Sequence, residues 1–70
     1  MKMTLQEFTN KVALEINDNS LVCRDLGKGM AAIEIMRDGS VYGGVDIADA
    51  SILDEYWIKI IATSLNRLAA

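Results

Sequence analysis

Apolar residues recur at helical spacing through the first part of the chain. At about 100° per residue Leu5, Phe8, Val12 and Ile16 fall on one narrow stripe, and Gln6, Glu7, Asn10, Lys11 and Asn17 lie away from it. Leu14 points to the opposite side. Ahead of the stripe, Thr4 and Glu7 have the T-x-x-E spacing of a capping box, and Met3 is placed to pack on Phe8 as a hydrophobic staple. Asn17-Asp18-Asn19-Ser20 then offers short polar side chains that compete for the helix backbone. The predicted first helix spans residues 5–17.

Between residues 21 and 47 the pattern changes to three short β-type runs, 21–24, 30–36 and 41–47, separated by Gly27-Lys28-Gly29 and by Arg37-Asp38-Gly39-Ser40. This is the pattern of a three-stranded meander. The second turn fixes the expected register. A two-residue Asp-Gly loop pairs Met36 with Val41 and sets Ile33 and Ile35 against Tyr42, Gly44 and Asp46, so the apolar sets disagree. A three-residue loop with Gly39 in a G1 bulge pairs Ile35 with Val41, Ile33 with Gly43 and Ala31 with Val45. The second arrangement puts Ala31, Ile33, Ile35, Val41, Val45 and Ile47 on one face and is the one predicted.

The last element has the strongest periodicity. Ser51-Ile52-Leu53-Asp54 has capping-box form, with Asp49 as a rival cap, and opens a helix predicted from Ile52 to about Leu68. Leu53, Tyr56, Trp57, Ile60, Ile61 and Leu68 form the centre of its apolar arc, which Ile58 and Leu65 widen to about 200°, twice what a surface helix needs. The surplus means either deep burial against both the sheet and the first helix or a face left for a partner, and on the second reading Ile58 and Leu65 are the expected contacts with another chain. With no linker, repeat or low-complexity segment, residues 1–70 read as one α+β domain of αβββα order, two helices on one face of an antiparallel meander.

Composition then narrows the possibilities. The chain has 70 residues, one cysteine, no histidine and no proline. A domain of this size buries only about 60% of its unfolded surface, and neither a disulfide nor a histidine-based metal site is available to reinforce it. A partner chain is the remaining support, which makes a homodimer the expectation. Ten acids against seven bases give a net charge of −3, the wrong sign for tracking phosphates, so direct nucleic-acid binding is not expected. One unpaired cysteine fits a reducing cytosol. Only Lys2 precedes the amphipathic start, no apolar run approaches a membrane span, and the chain reads as cytoplasmic.

Candidate chemistry is sparse. Cys23 lacks the base that a thiolate nucleophile needs and reads as a small strand hydrophobe. Gly27-Lys28-Gly29 has the makings of an anion nest but not the Walker pattern, and reads as a hairpin turn. Gly43-Gly44 inside a strand marks close approach: either Trp57 or Phe8 packs over Gly43, or a partner's backbone enters there. Asp46, Asp49, Asp54 and Glu55 gather before the last helix, where capping and the helix dipole account for acids and where the spacing matches no EF-hand loop. No cofactor fingerprint or metal-ligand spacing is present, catalysis is not expected, and neither is a cofactor or metal.

What remains is a surface. On the predicted register the far face of the sheet carries Met30, Ala32, Glu34, Met36, Tyr42, Gly44 and Asp46, together with Val22 and Arg24, and no third helix exists to cover it. Met, Tyr and Arg are enriched in interfaces. Met30, Glu34, Met36, Tyr42, Asp46 and Asp49 are therefore the expected partner-binding residues, with the carboxylates offered to a basic surface on another protein, for instance one that holds nucleic acid. In size, acidity and lack of chemistry the chain is similar in type to the small phage-borne inhibitors of bacterial defence, anti-CRISPR proteins among them. That likeness implies an inhibitor or adaptor that occupies a functional surface; no motif carries it, and it assigns no residue roles. The alternatives are an oligomer that holds an anionic nucleotide between subunits with Lys28, Arg24 or Arg37, and a self-associating structural subunit.

Overall fold

The capping box forms as the sequence requires. Glu7 N donates to Thr4 Oγ1 at 3.1 Å and Thr4 N donates to Glu7 Oε1 at 2.9 Å, opening α1 (Leu5–Ile16). Asn17 ends it in the left-handed region (φ 53°), with Asp18 N donating back to Ala13 O at 3.0 Å. The computed structural model describes residues 3–18 and 20–69; Lys2 and Asn19 of the sequence reading lie outside them. The chain continues through β1 (Leu21–Gly27), β2 (Met30–Arg37), β3 (Ser40–Ile47), one 3-10 turn (Ala50–Ile52) and α2 (Glu55–Ala69). The strands form one antiparallel sheet in the order β1-β2-β3. This is the αβββα arrangement that the pattern predicts.

The core lies between the sheet and the two helices. Phe8 and Val12 of α1, Ala31, Ile33, Ile35 and Ile47 of the sheet, Leu53 ahead of α2, and Ile58, Ile61, Ala62 and Leu65 of α2 form its buried cluster. Its one buried polar side chain among the described residues is Thr9, whose hydroxyl donates to Leu5 O at 2.8 Å within the helix. Met3 N donates to Leu53 O at 2.8 Å just ahead of the two helices. Each helix runs back along its strand, α1 from Leu5 beside Asp25 to Leu14 beside Leu21 and α2 from the Ile47 end of β3 to Leu68 over Gly43, so the two run in the same direction across the sheet. No helix among the described residues is long and apolar enough to cross a membrane.

The register differs from the predicted one in an instructive way. Asp38 (φ 53°) and Gly39 (φ 80°) form the two-residue loop that the apolar pattern had argued against, pairing Arg37 with Ser40 and Met36 with Val41. A bulge at Tyr42 then shifts the ladder, so that Ile35 pairs with Gly43, Glu34 with Gly44, Ile33 with Val45 and Ala31 with Ile47. The predicted inward set survives except for Val41, which is exposed beside the turn. The first hairpin repeats the device: Lys28 and Gly29 both have positive φ, and Leu26 is the extra residue of β1.

The final helix departs from expectation at its start and in its rotation. Asp49 Oδ1 accepts from Ser51 N at 2.9 Å and organises the 3-10 turn, and Asp54 Oδ1 accepts from Tyr56 N at 2.8 Å and caps α2, which therefore starts at Glu55 rather than Ile52. Ile58 (8% exposed) and Leu65 (0%), assigned from the sequence to an interface with another chain, point into the core. The exposed apolar residues of α2 are instead Tyr56, Ile60 and Leu68, which the helical wheel had placed at the centre of the arc. Two features rotate the helix this way. Ala62, small enough to escape the apolar count, is buried beside Ile58 and Leu65 and extends the apolar arc on that side. On the wheel Arg67 falls between Tyr56 and Ile60, and its charge keeps their side in water.

Candidate interaction surface

The outer face of the sheet is built in rows by the observed pairing. Arg24, Ala32 and Asp46 form one row, Val22, Glu34 and Gly44 the next, and Met36 with Val41 and the bulged Tyr42 the row nearest the second turn. Ala32 is only 2% exposed although it faces outward, a small residue at the centre of the row between Arg24 and Asp46. Val22, Met30, Val41 and Tyr42 stand open to solvent, Tyr42 the most exposed of the four at 56%. Met36 and Glu34 are half-buried.

The arginines of this face are each held by a carboxylate. Arg24 meets Glu34 through two parallel bonds, Nε to Oε1 at 3.0 Å and Nη2 to Oε2 at 3.2 Å, the fork geometry that guanidinium and carboxylate favour. Hydrogen bonding to Glu34 and then its charge, with Asp46 adding to the field, raise the Arg24 pKa above its ordinary value. At the far corner Arg37 Nη1 donates to Ser20 Oγ at 2.7 Å and to Met36 O at 2.9 Å, while Nη2 meets Asp18 Oδ2 at 3.2 Å. So fixed, the guanidinium lies 5.8 Å from the centre of the Tyr42 ring. Bonds from the Ser20 hydroxyl and amide, with Arg37 contributing, hold the Asp18 carboxyl below the usual carboxylate range.

Of the residues singled out from the sequence, Met30, Glu34, Met36, Tyr42 and Asp46 share this face. Asp49 does not; it follows β3 in the connection to the 3-10 turn, where it caps. Glu34 is spent on Arg24, which leaves Asp46 as the exposed carboxylate of the face. The corner formed by Asp18, Ser20, Arg37 and Tyr42 escaped sequence reading because its members come from three separate segments and meet only once the β2–β3 bulge has formed. Two of the three cations suggested for an anionic nucleotide, Arg24 and Arg37, are engaged by carboxylates of the same chain.

The other features resolve into packing. A Cβ on Gly43 would lie 3.7 Å from Leu68 Cδ1, so Leu68, rather than Trp57 or Phe8, covers it, and its cross-strand neighbour is Ile35 rather than Ile33. A Cβ on Gly44 would sit 2.6 Å from Ile33 O and 3.1 Å from Glu34 Cα, a position closed by the neighbouring backbone. Its partner is Glu34, where the predicted register had Ala32. Cys23 is partly buried against the core with Sγ 3.6 Å from Gln6 Oε1. Gly27-Lys28-Gly29 is a hairpin turn, and the 220 Å³ recess beside it is lined by Asp25 as well as Lys28. Comparisons with protein-family models, with curated proteins and with solved structures find no match.

Proposed function

We propose that this protein is a non-enzymatic protein-binding module, an inhibitor or adaptor that acts by occupying a functional surface of a partner protein with the open face of its sheet. One observation carries the reading: an outer face on which apolar side chains are exposed while its arginines are already paired with carboxylates of the same chain and one carboxylate, Asp46, is left open. Removing water from a lone charge is costly, whereas a bidentate pair such as Arg24–Glu34 enters an interface with its principal partner in place. Tyr42, positioned by Arg37, is the anchor at the second-turn end of the face, with Val41 and Met36 in its row, Val22 one row away across the sheet, and Met30 at the opposite, first-turn end of β2. Asp46 calls for a basic group on the partner, which fits a protein whose own ligand is anionic. The free thiol of Cys23 suits a cytoplasmic setting.

The test is a pair of substitutions on exposed positions. Tyr42→Ala and Asp46→Lys are expected to abolish capture of the partner while leaving the circular dichroism spectrum unchanged. A photo-crosslinker at Met30 should label the same partner, and one at Thr63, on α2, should not. Undiminished capture by the double variant, with labelling from Thr63, would overturn the assignment of this face.

A further inference from the structure

The helical side of the molecule carries a second surface, independent of the sheet face. Leu14 and Tyr56 are the most exposed large apolar residues described, at 80% and 73%, and although they come from different helices they line one groove of about 360 Å³ between α1 and α2. The buried Ile58 also lines it, and its remaining walls are Lys11, Glu15, Glu55 and Lys59. Tyr56 is held in place by an edge-to-face contact with Trp57, ring centres 5.5 Å apart at 82°. An aromatic ring already positioned this way loses little freedom when it is covered.

The charges of the groove indicate what covers it. Two lysines and two glutamates sum to zero on a chain whose net charge is −3. Lys11 Nζ and Glu55 Oε1 pair with each other at 3.0 Å. Glu15 and Lys59, of opposite sign on the same groove, have no hydrogen-bond or ion-pair partner among the described residues. A strongly charged partner would be matched by a groove of one sign. A surface that meets its own copy must instead be complementary to itself, each residue finding its counterpart through a two-fold axis.

We infer that this groove is a homodimer interface, in which a two-fold axis sets α1 of each copy on α2 of the other, Leu14 against Tyr56 and Glu15 against Lys59. Because the helices run in the same direction within one chain, an axis parallel to them brings these opposite elements face to face. The dimer leaves both sheet faces outward, so it presents two copies of the proposed partner surface.

The 70-residue chain tests this by sedimentation velocity over a dilution series from about 1 mM to about 1 μM, with circular dichroism to establish folding. A reversible dimer is expected. Glu15→Lys and Lys59→Glu, each of which opposes like charges at two symmetric sites, should each weaken it about tenfold or more, and the double swap Glu15→Lys/Lys59→Glu should restore it. A chain that stays monomeric at about 1 mM overturns the inference. So does a dimer indifferent to both single swaps, which would have formed through another face; that result would leave the sheet-face reading to be judged by its own variants.

Discussion

The two faces of the sheet are made by the same eight-residue strand and differ in almost everything else. Along β2, Ala31, Ile33 and Ile35 face the helices in a cluster with no ionisable side chain, whereas Ala32, Glu34 and Met36 face outward among arginines, carboxylates and exposed apolar groups. On the inner side, affinity between elements comes from apolar area that is not directional. On the outer side, groups are fixed by directed bonds and the apolar area is left unused. One face has the means of holding the fold together and the other of being recognised, which leads to opposite expectations for substitutions one residue apart.

The largest contrast is expected from Ile33. Its side chain is fully buried, and Ile33→Ala should cost about 3 kcal/mol of unfolding free energy, a large part of what a domain this small has. Chemical denaturation should show it, with Ile33→Val near about 1 kcal/mol as a milder check. On the outer face Tyr42→Ala should change stability by about 0.5 kcal/mol or less. If the two cost the same, the outer face is as much a part of the core as the inner one and its reading as a recognition surface fails.

Gly44 lies where the two faces compete for one backbone. A methyl group there points outward into Ile33 O and Glu34 Cα, so Gly44→Ala requires β3 to move away from β2 and should cost about 1–3 kcal/mol. The displacement reaches the inner face through Val45 and Ile47, so the core methyl resonances should shift although the substituted residue is exposed. A neutral Gly44→Ala would mean that the strands separate there at no cost.

This contrast was legible in the sequence, and its register was not. The alternation of Ala31, Ile33, Ile35 with Ala32, Glu34, Met36 fixes which side faces the helices, but alternation is satisfied by any register that pairs odd with odd. Offsets two residues apart are therefore indistinguishable to it, and the chain takes the one reached by a tight Asp38-Gly39 turn followed by the Tyr42 bulge. The first helix was readable to within a residue because its cap is local, Thr4 with Glu7. The rotation of α2 was not, because Ala62 counts as apolar only once its neighbours are known. The same limit hid both ends of the candidate surfaces: the Asp18–Arg37–Tyr42 corner and the Leu14–Tyr56 groove join residues far apart in the chain.

The subtlest test uses acid, which acts on the corner of the outer face and finds no carboxylate in the buried cluster. The Asp18 carboxyl is held below its ordinary value of 3.8 by bonds from Ser20 and by Arg37. A carboxylate with a depressed folded-state pKa stabilises the fold above the unfolded value, and that stabilisation is lost as pH falls through the folded one. Stability should therefore decline below about pH 4, and Asp18→Asn should flatten part of the decline. The remainder belongs in part to Glu7, whose bonds from Thr4 depress its pKa in the same sense. While the chain is still folded, NMR should show the Tyr42 ring and the Arg37 side chain shifting together as Asp18 is protonated, since protonation removes the carboxylate that holds the guanidinium near the ring. The methyl groups of Ile33 and Ile35 should stay fixed until the whole domain unfolds. Core methyls that titrate with the same midpoint as Tyr42 would show that the corner is mechanically part of the core, and that the sheet has one cooperative layer where two are argued.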